Sequence, residues 1–133
     1  MKFSFFITTT IGFILVAFAV GCASVSRAPA TPEQAVQARA QERWNALIAG
    51  QLDKAFEYIT PSGRSTLPLE VYRARLTGTS WRGAKVTGAV CEPEVCDVTV
   101  TLDIDVLPNL PYQQVIAEKW LLDGGKWWFV YRG

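Results

Sequence analysis

The chain has 133 residues, half of them hydrophobic, with 13 basic and 12 acidic residues and no histidine. A near-neutral balance without a basic cluster argues against nucleic-acid binding, which rests on neutralising phosphates. The lack of histidine removes the side chain best matched to proton transfer near neutral pH and a common metal ligand.

The first element in chain order is an apolar leader. Met1-Lys2 forms a short basic start, and the roughly 18 residues from Phe3 to Val20 carry no charge. The run Ala19-Val20-Gly21-Cys22 closes it, with small residues placed before a cysteine. On these residues the leader resembles that of a bacterial lipoprotein precursor. The resemblance implies a signal peptide over 1–21, acylation of Cys22, and a lipid-bilayer contact through the attached chains. An uncleaved membrane anchor and a plain secretory signal stay open as alternatives. Ala23 stands after the cysteine where an aspartate would favour inner-membrane retention. The same resemblance therefore places the protein in the bacterial cell envelope, at the outer membrane and facing the periplasm. Removing the leader takes Lys2 alone from the basic count and leaves a neutral remainder. Residues 22–31 read as a tether, and 32–133 as one domain long enough for its own core.

Cysteine usage agrees with export. Three cysteines leave an odd one, and Cys22 accounts for it. Cys91 and Cys96 flank Glu92-Pro93-Glu94-Val95, a polar turn between two β-branched runs, and facing cysteines across a hairpin come within disulfide range. With no histidine available, two thiols make a poor zinc site. No metal and no cofactor are expected.

Three helices are predicted next. Thr31-Pro32-Glu33-Gln34 supplies an N-cap, a proline at the first helical position and a capping box. Val36, Ala40, Trp44, Leu47 and Ile48 then share one stripe, with Arg39, Glu42 and Arg43 off it, and Gly50 ends the helix. Leu52, Ala55, Phe56 and Ile59 mark a short second helix stopped before Pro61. A third runs from Leu69 to Leu76 after Pro68.

From Ser80 the hydrophobic period becomes two. Strands are predicted over Trp81–Cys91, Val95–Leu107, Tyr112–Leu122 and Lys126–Arg132, with turns at Pro108–Pro111 and Asp123-Gly124-Gly125. Val98, Val100, Leu102, Ile104 and Val106 share the apolar face of the second strand. The pattern is α+β: a helical block followed by a four-stranded antiparallel meander.

The first helix with Arg43-Trp44-Asn45-Ala46-Leu47, the break at Ala49–Asp53, the stretch ending Ile59-Thr60-Pro61 and the closing Glu118-Lys119-Trp120…Asp123-Gly124-Gly125-Lys126-Trp127-Trp128 resemble the nuclear transport factor 2-like superfamily, also called SnoaL-like or ketosteroid-isomerase-like. The resemblance spans Pro32 to Gly133. It implies a cystatin-like roll, in which a curved sheet wraps the helices into a cone with a pocket at its open end. It also implies either a non-catalytic binding or assembly module or an enzyme of isomerase or dehydratase type, since fold alone does not decide function.

Glu118 is the one carboxylate on an apolar strand face, sharing parity with Ile116, Trp120 and Leu122. There it is a candidate base or ligand anchor. The competing reading pairs it with a helix arginine, Arg43 or Arg75, or puts it on the outer face. Asp103 and Asp105 alternate against the apolar residues and read as solvated. Trp44, Tyr58, Tyr72 and Trp120 are pocket candidates, though aromatics at such positions are more often core than ligand platform. Trp127, Phe129 and Tyr131 point one way along the last strand, Trp128 and Val130 the other, so a homodimer or an envelope partner is expected to cover the sheet. A non-catalytic envelope module is the preferred expectation, and Glu118-based acid–base chemistry on a small apolar substrate is the alternative.

Overall fold

The computed structural model describes residues 28–133. The expectations for the leader and Cys22 fall outside them. Within them, four helices, α1 (Pro32–Ile48), α2 (Leu52–Phe56), α3 (Pro61–Thr66) and α4 (Leu69–Leu76), precede four strands, β1 (Trp81–Glu92), β2 (Val95–Leu107), β3 (Leu110–Asp123) and β4 (Lys126–Phe129). The strands form one antiparallel sheet in the order β1-β2-β3-β4. This is the expected α+β architecture, with a curved and unclosed sheet.

Local chemistry explains where α1 begins. The Gln34 amide donates to Thr31 Oγ1 at 3.2 Å, and the Thr31 amide donates to Gln34 Oε1 at 3.0 Å, closing the capping box with Pro32 in the first turn. The helix buries Val36, Ala40, Arg43, Trp44, Ala46 and Leu47. Arg43 corrects the sequence reading, which set it off the buried stripe. The spacing Val36, Ala40, Arg43, Leu47 is a regular one-face series, and a guanidinium tolerates that face only with a partner for its charge.

A second correction concerns α3. The sequence marks Pro61 as a stop, yet it opens a helix. Thr60 caps it, accepting from the Gly63 amide at 3.1 Å, much as Thr31 precedes Pro32. Residues 57–60 consequently leave the helical path, and Ile59 lies outside α2. Their backbone runs parallel to β4: the Phe129 amide donates to the Tyr58 carbonyl at 2.8 Å and the Thr60 amide to the Phe129 carbonyl at 3.0 Å. This covers the sheet's last edge. Along β1, Gln41 of α1 acts similarly: its amide donates to the Ala84 carbonyl at 3.0 Å and accepts from the Val86 amide at 2.8 Å.

The inner face of the sheet carries Cys96, Val98, Val100 and Leu102 from β2, Glu118 and Trp120 from β3, and Trp127 and Phe129 from β4, all buried. Cys91 and Cys96 are register partners joined by a disulfide, with Cα atoms 4.1 Å apart. The Asp123–Lys126 turn takes Gly124 and Gly125 at φ 58° and 72°, the two positive values a tight hairpin turn of this type needs. β4 is shorter than predicted, since regular pairing stops at Phe129. Beyond it the Val130 amide still reaches the Lys119 carbonyl at 2.9 Å.

The far end of the sheet differs from the sequence reading. Val106 was expected on the buried face, but Val106, Leu107, Leu110, Tyr112 and Val115 are each more than half exposed. They lie around the β2–β3 turn, where Asn109 adopts φ 66° and a register shift follows Asp105. Among the described residues no helix is long and apolar enough to cross a membrane.

Candidate functional site

Glu118 sits on β3 opposite Val98 of β2, on the face that α1 packs against. Burial of a carboxylate demands donors, and the fold supplies three. Arg43 Nη1 donates to Oε1 at 2.8 Å, Trp44 Nε1 donates to the same oxygen at 2.9 Å, and Trp120 Nε1 donates to Oε2 at 3.1 Å. Glu118 is 6% and Arg43 4% exposed, so the ion pair is desolvated on both sides. The Arg43 guanidinium also lies 3.7 Å from the Phe129 ring centroid and 5.4 Å from that of Trp44. Of the partners weighed from sequence, the structure selects Arg43 over Arg75.

A cavity of about 340 Å³ opens beside this pair, lined among others by Arg43, Trp44, Trp81, Ile116, Glu118 and Tyr131. Trp44 meets Trp81 edge-on, ring centroids 5.1 Å apart. Two buried polar atoms have no hydrogen-bond partner in this region, Arg43 Nε and the Tyr72 hydroxyl.

The four aromatic candidates separate. Trp44 lines the cavity and holds Glu118. Trp120 is fully buried beneath it, its ring centroid 5.7 Å from that of Phe129. Tyr72 packs between Phe56 and Tyr131, at centroid distances of 5.3 and 5.6 Å. Tyr58 lies away from this cavity. Its hydroxyl donates to Glu42 Oε2 at 3.3 Å and its ring faces Arg39 at 4.7 Å. Asp103 and Asp105 stand on the opposite face of the sheet, Asp103 accepting from Gln113 at 2.8 Å and Asp105 pairing with Arg82 at 3.1 Å. Sequence reasoning weighed Arg43 as a partner of Glu118 but missed Trp81 and Tyr131 as participants. The stripe spacing marks Arg43, whereas nothing local marks the two aromatics. Among the described residues no three His, Cys, Asp or Glu side chains gather as metal ligands.

Burial pushes the Tyr72 phenol above its usual 10; Arg43 favours the ionised form, but desolvation outweighs it. The folded state thus favours the neutral phenol, and the unfolded chain ionises first. That contribution to stability is fully present below about pH 10 and is lost as pH rises further. Tyr72→Phe deletes an unpartnered hydroxyl, so it is expected to leave stability at pH 7 unchanged or raise it by about 1–3 kcal/mol. It should also blunt the alkaline fall. Urea unfolding at pH 7 and pH 10.5 checks both, and a loss above about 1 kcal/mol at pH 7 would show that the hydroxyl has a bonding role.

No family model matches the chain, and no curated protein matches it. Solved structures do. A SEC-C motif-containing protein of Rhodopseudomonas palustris superposes with a TM-score of 0.58 at 16% identity, covering 69% of this chain and 72% of the other. A second SEC-C motif-containing protein, from Psychrobacter arcticus, gives 0.58 at 13% identity, covering 73% and 60%. A Campylobacter jejuni protein described as an NTF2-like transpeptidase gives 0.53 at 12% identity, covering 73% and 98%. At these identities the likeness is one of fold. The described domain shares the α+β fold of these structures, one of which is described as NTF2-like.

Proposed function

We propose that the chain is a membrane-anchored envelope lipoprotein whose roll serves as a non-catalytic binding or assembly module. The observation that carries the non-catalytic part is the engagement of Glu118: both of its oxygens accept from buried donors fixed by packing. A base must meet its substrate's proton within hydrogen-bond reach, and Glu118, 6% exposed with three buried donors on its two oxygens, offers little free acceptor surface to one. The group works as the polar keystone between α1 and the sheet. Anchoring rests on the run ending at Cys22, which would place the domain a short tether from the bilayer.

Partner contact fits the exposed apolar side chains around the β2–β3 turn better than the outer face of the last strand. Trp128, singled out from sequence as needing cover, is half-buried and donates from Nε1 to the Asp123 carbonyl at 3.2 Å. An association surface, homodimeric or with an envelope protein, would bury Leu107, Leu110 and Tyr112.

Two measurements test the reading. Labelled palmitate fed to a bacterial host should enter the wild-type chain and not Cys22→Ser; label in both or neither removes the lipoprotein assignment. Sedimentation and co-purification should detect an assembly that Leu107→Asp with Tyr112→Asp abolishes while the circular dichroism stays unchanged. A turnover activity lost in Glu118→Gln, with folding retained, would overturn the non-catalytic assignment.

A further inference from the structure

A second cleft, of about 400 Å³, shares no lining residue with the cavity beside Glu118. Arg39, Lys54, Arg64 and Lys126 line it together with Tyr58, Trp128 and a single acid, Glu57. The ion pairs of the described residues engage Arg43, Arg73, Arg82 and Lys119. Seven described cations are left without one, and four of those seven meet in this cleft. In a chain whose formal net charge is +1, that is a local concentration of positive charge.

The cations come from four separate places in the fold, and Trp128 gathers three of them. Arg39, Arg64 and Lys126 approach its ring centroid at 5.6, 5.7 and 5.4 Å. Arg39 is fixed further: its Nε donates to the Trp127 carbonyl at 2.6 Å, and its guanidinium lies over the Tyr58 ring. Its two terminal nitrogens make no protein hydrogen bond among the described residues, and Arg64 Nε is buried without a partner. Ring faces hold the cations in place but do not neutralise their mutual repulsion. Glu57 offsets one charge of the four. An oxyanion carrying more than one negative charge would satisfy the rest, and two guanidinium forks suit tetrahedral oxygen geometry.

We propose that this cleft binds a phosphoryl group, carried either by a soluble phosphate compound or by an anionic lipid headgroup. The site stands apart from the lipoprotein reading and does not depend on it. Arg39 and Arg64 grip the oxygens, Lys54 and Lys126 supply charge from the rim, and Trp128 holds the spacing.

Isothermal titration of the full chain in a neutral detergent tests the proposal, with inorganic pyrophosphate and short-chain phosphatidylglycerol as probes and short-chain phosphatidylcholine as control. Saturable pyrophosphate binding that weakens with added salt is expected, falling at least about tenfold in Lys54→Gln/Arg64→Gln/Lys126→Gln. These side chains reach solvent, so the triple variant should keep the wild-type circular dichroism spectrum. Pyrophosphate binding alone indicates a soluble source. Phosphatidylglycerol binding that exceeds phosphatidylcholine and competes with pyrophosphate indicates a headgroup. Failure of the wild-type chain to bind either probe, or equal binding by the triple variant, overturns the site.

Discussion

Glu118→Ala is expected to destabilise the domain by about 3–5 kcal/mol, the largest loss we anticipate from a polar substitution. The substitution removes the acceptor of two indoles and one guanidinium, and leaves Arg43 charged at 4% exposure with Phe129 beneath it. Water cannot easily replace the carboxylate there, so the cost is mainly that of an uncompensated buried cation. Urea unfolding checks this, and a midpoint corresponding to less than about 1 kcal/mol of loss would refute the keystone role. The companion experiment replaces both partners. Arg43→Met with Glu118→Leu should recover part of the loss, because a buried ion pair exchanged for apolar side chains of similar volume is often neutral or better, while the Trp44 and Trp120 indoles still lose their acceptor.

Trp120→Ala should cost a similar amount, about 3–5 kcal/mol, through a different route. Trp120 is fully buried between Cys96 and Phe129 in the sheet register, and its truncation leaves a void that the disulfide-joined β1–β2 end cannot collapse to fill. Trp120→Phe separates the two roles of the residue. It keeps much of the packing and deletes only the donor to Glu118 Oε2, so a smaller loss of about 1–3 kcal/mol is expected. Equal losses in both variants would mean that the hydrogen bond, not the indole's bulk, dominates. The Trp120 and Glu118 substitutions touch one network, and their effects should fall short of additive.

Much of the fold was legible because its signals are strong and local. The capping box at Thr31 and Gln34, the period-two run from Val98 to Ile104 and the Gly124-Gly125 turn each specify a conformation by themselves. The six-residue α3 was not legible: none of its residues is buried, so it leaves no hydrophobic period, and its proline invites a reading as a breaker. Val106 was misplaced because alternation tells which face a side chain takes, but not where along the strand the covering helices stop. The same limit governs the candidate site. Parity grouped Glu118 with Ile116, Trp120 and Leu122, yet deciding that this is the inner face, and choosing Arg43 over Arg75, required the packing of α1 against the sheet. Tyr58 shows the reverse failure, since an aromatic near the end of a short helix carries no sign of which cavity it will join.

The pairing of residues 58–60 with Phe129 has a consequence for the order of assembly. Every other ladder in the sheet joins neighbours in sequence, so β1 to β3 form as simple hairpins once their turns are in place. The stretch between α2 and α3 instead waits for a strand about 70 residues further on, and two short helices flank it that cannot stand alone. As the chain emerges from its N-terminal end, those residues are made early and remain unpaired until the final strand docks. Completing the roll is then one event, in which the helical block and the last strand lock together. A chain trimmed before Phe129 should therefore lose order around Thr60, far away in sequence, before it loses the central hairpin.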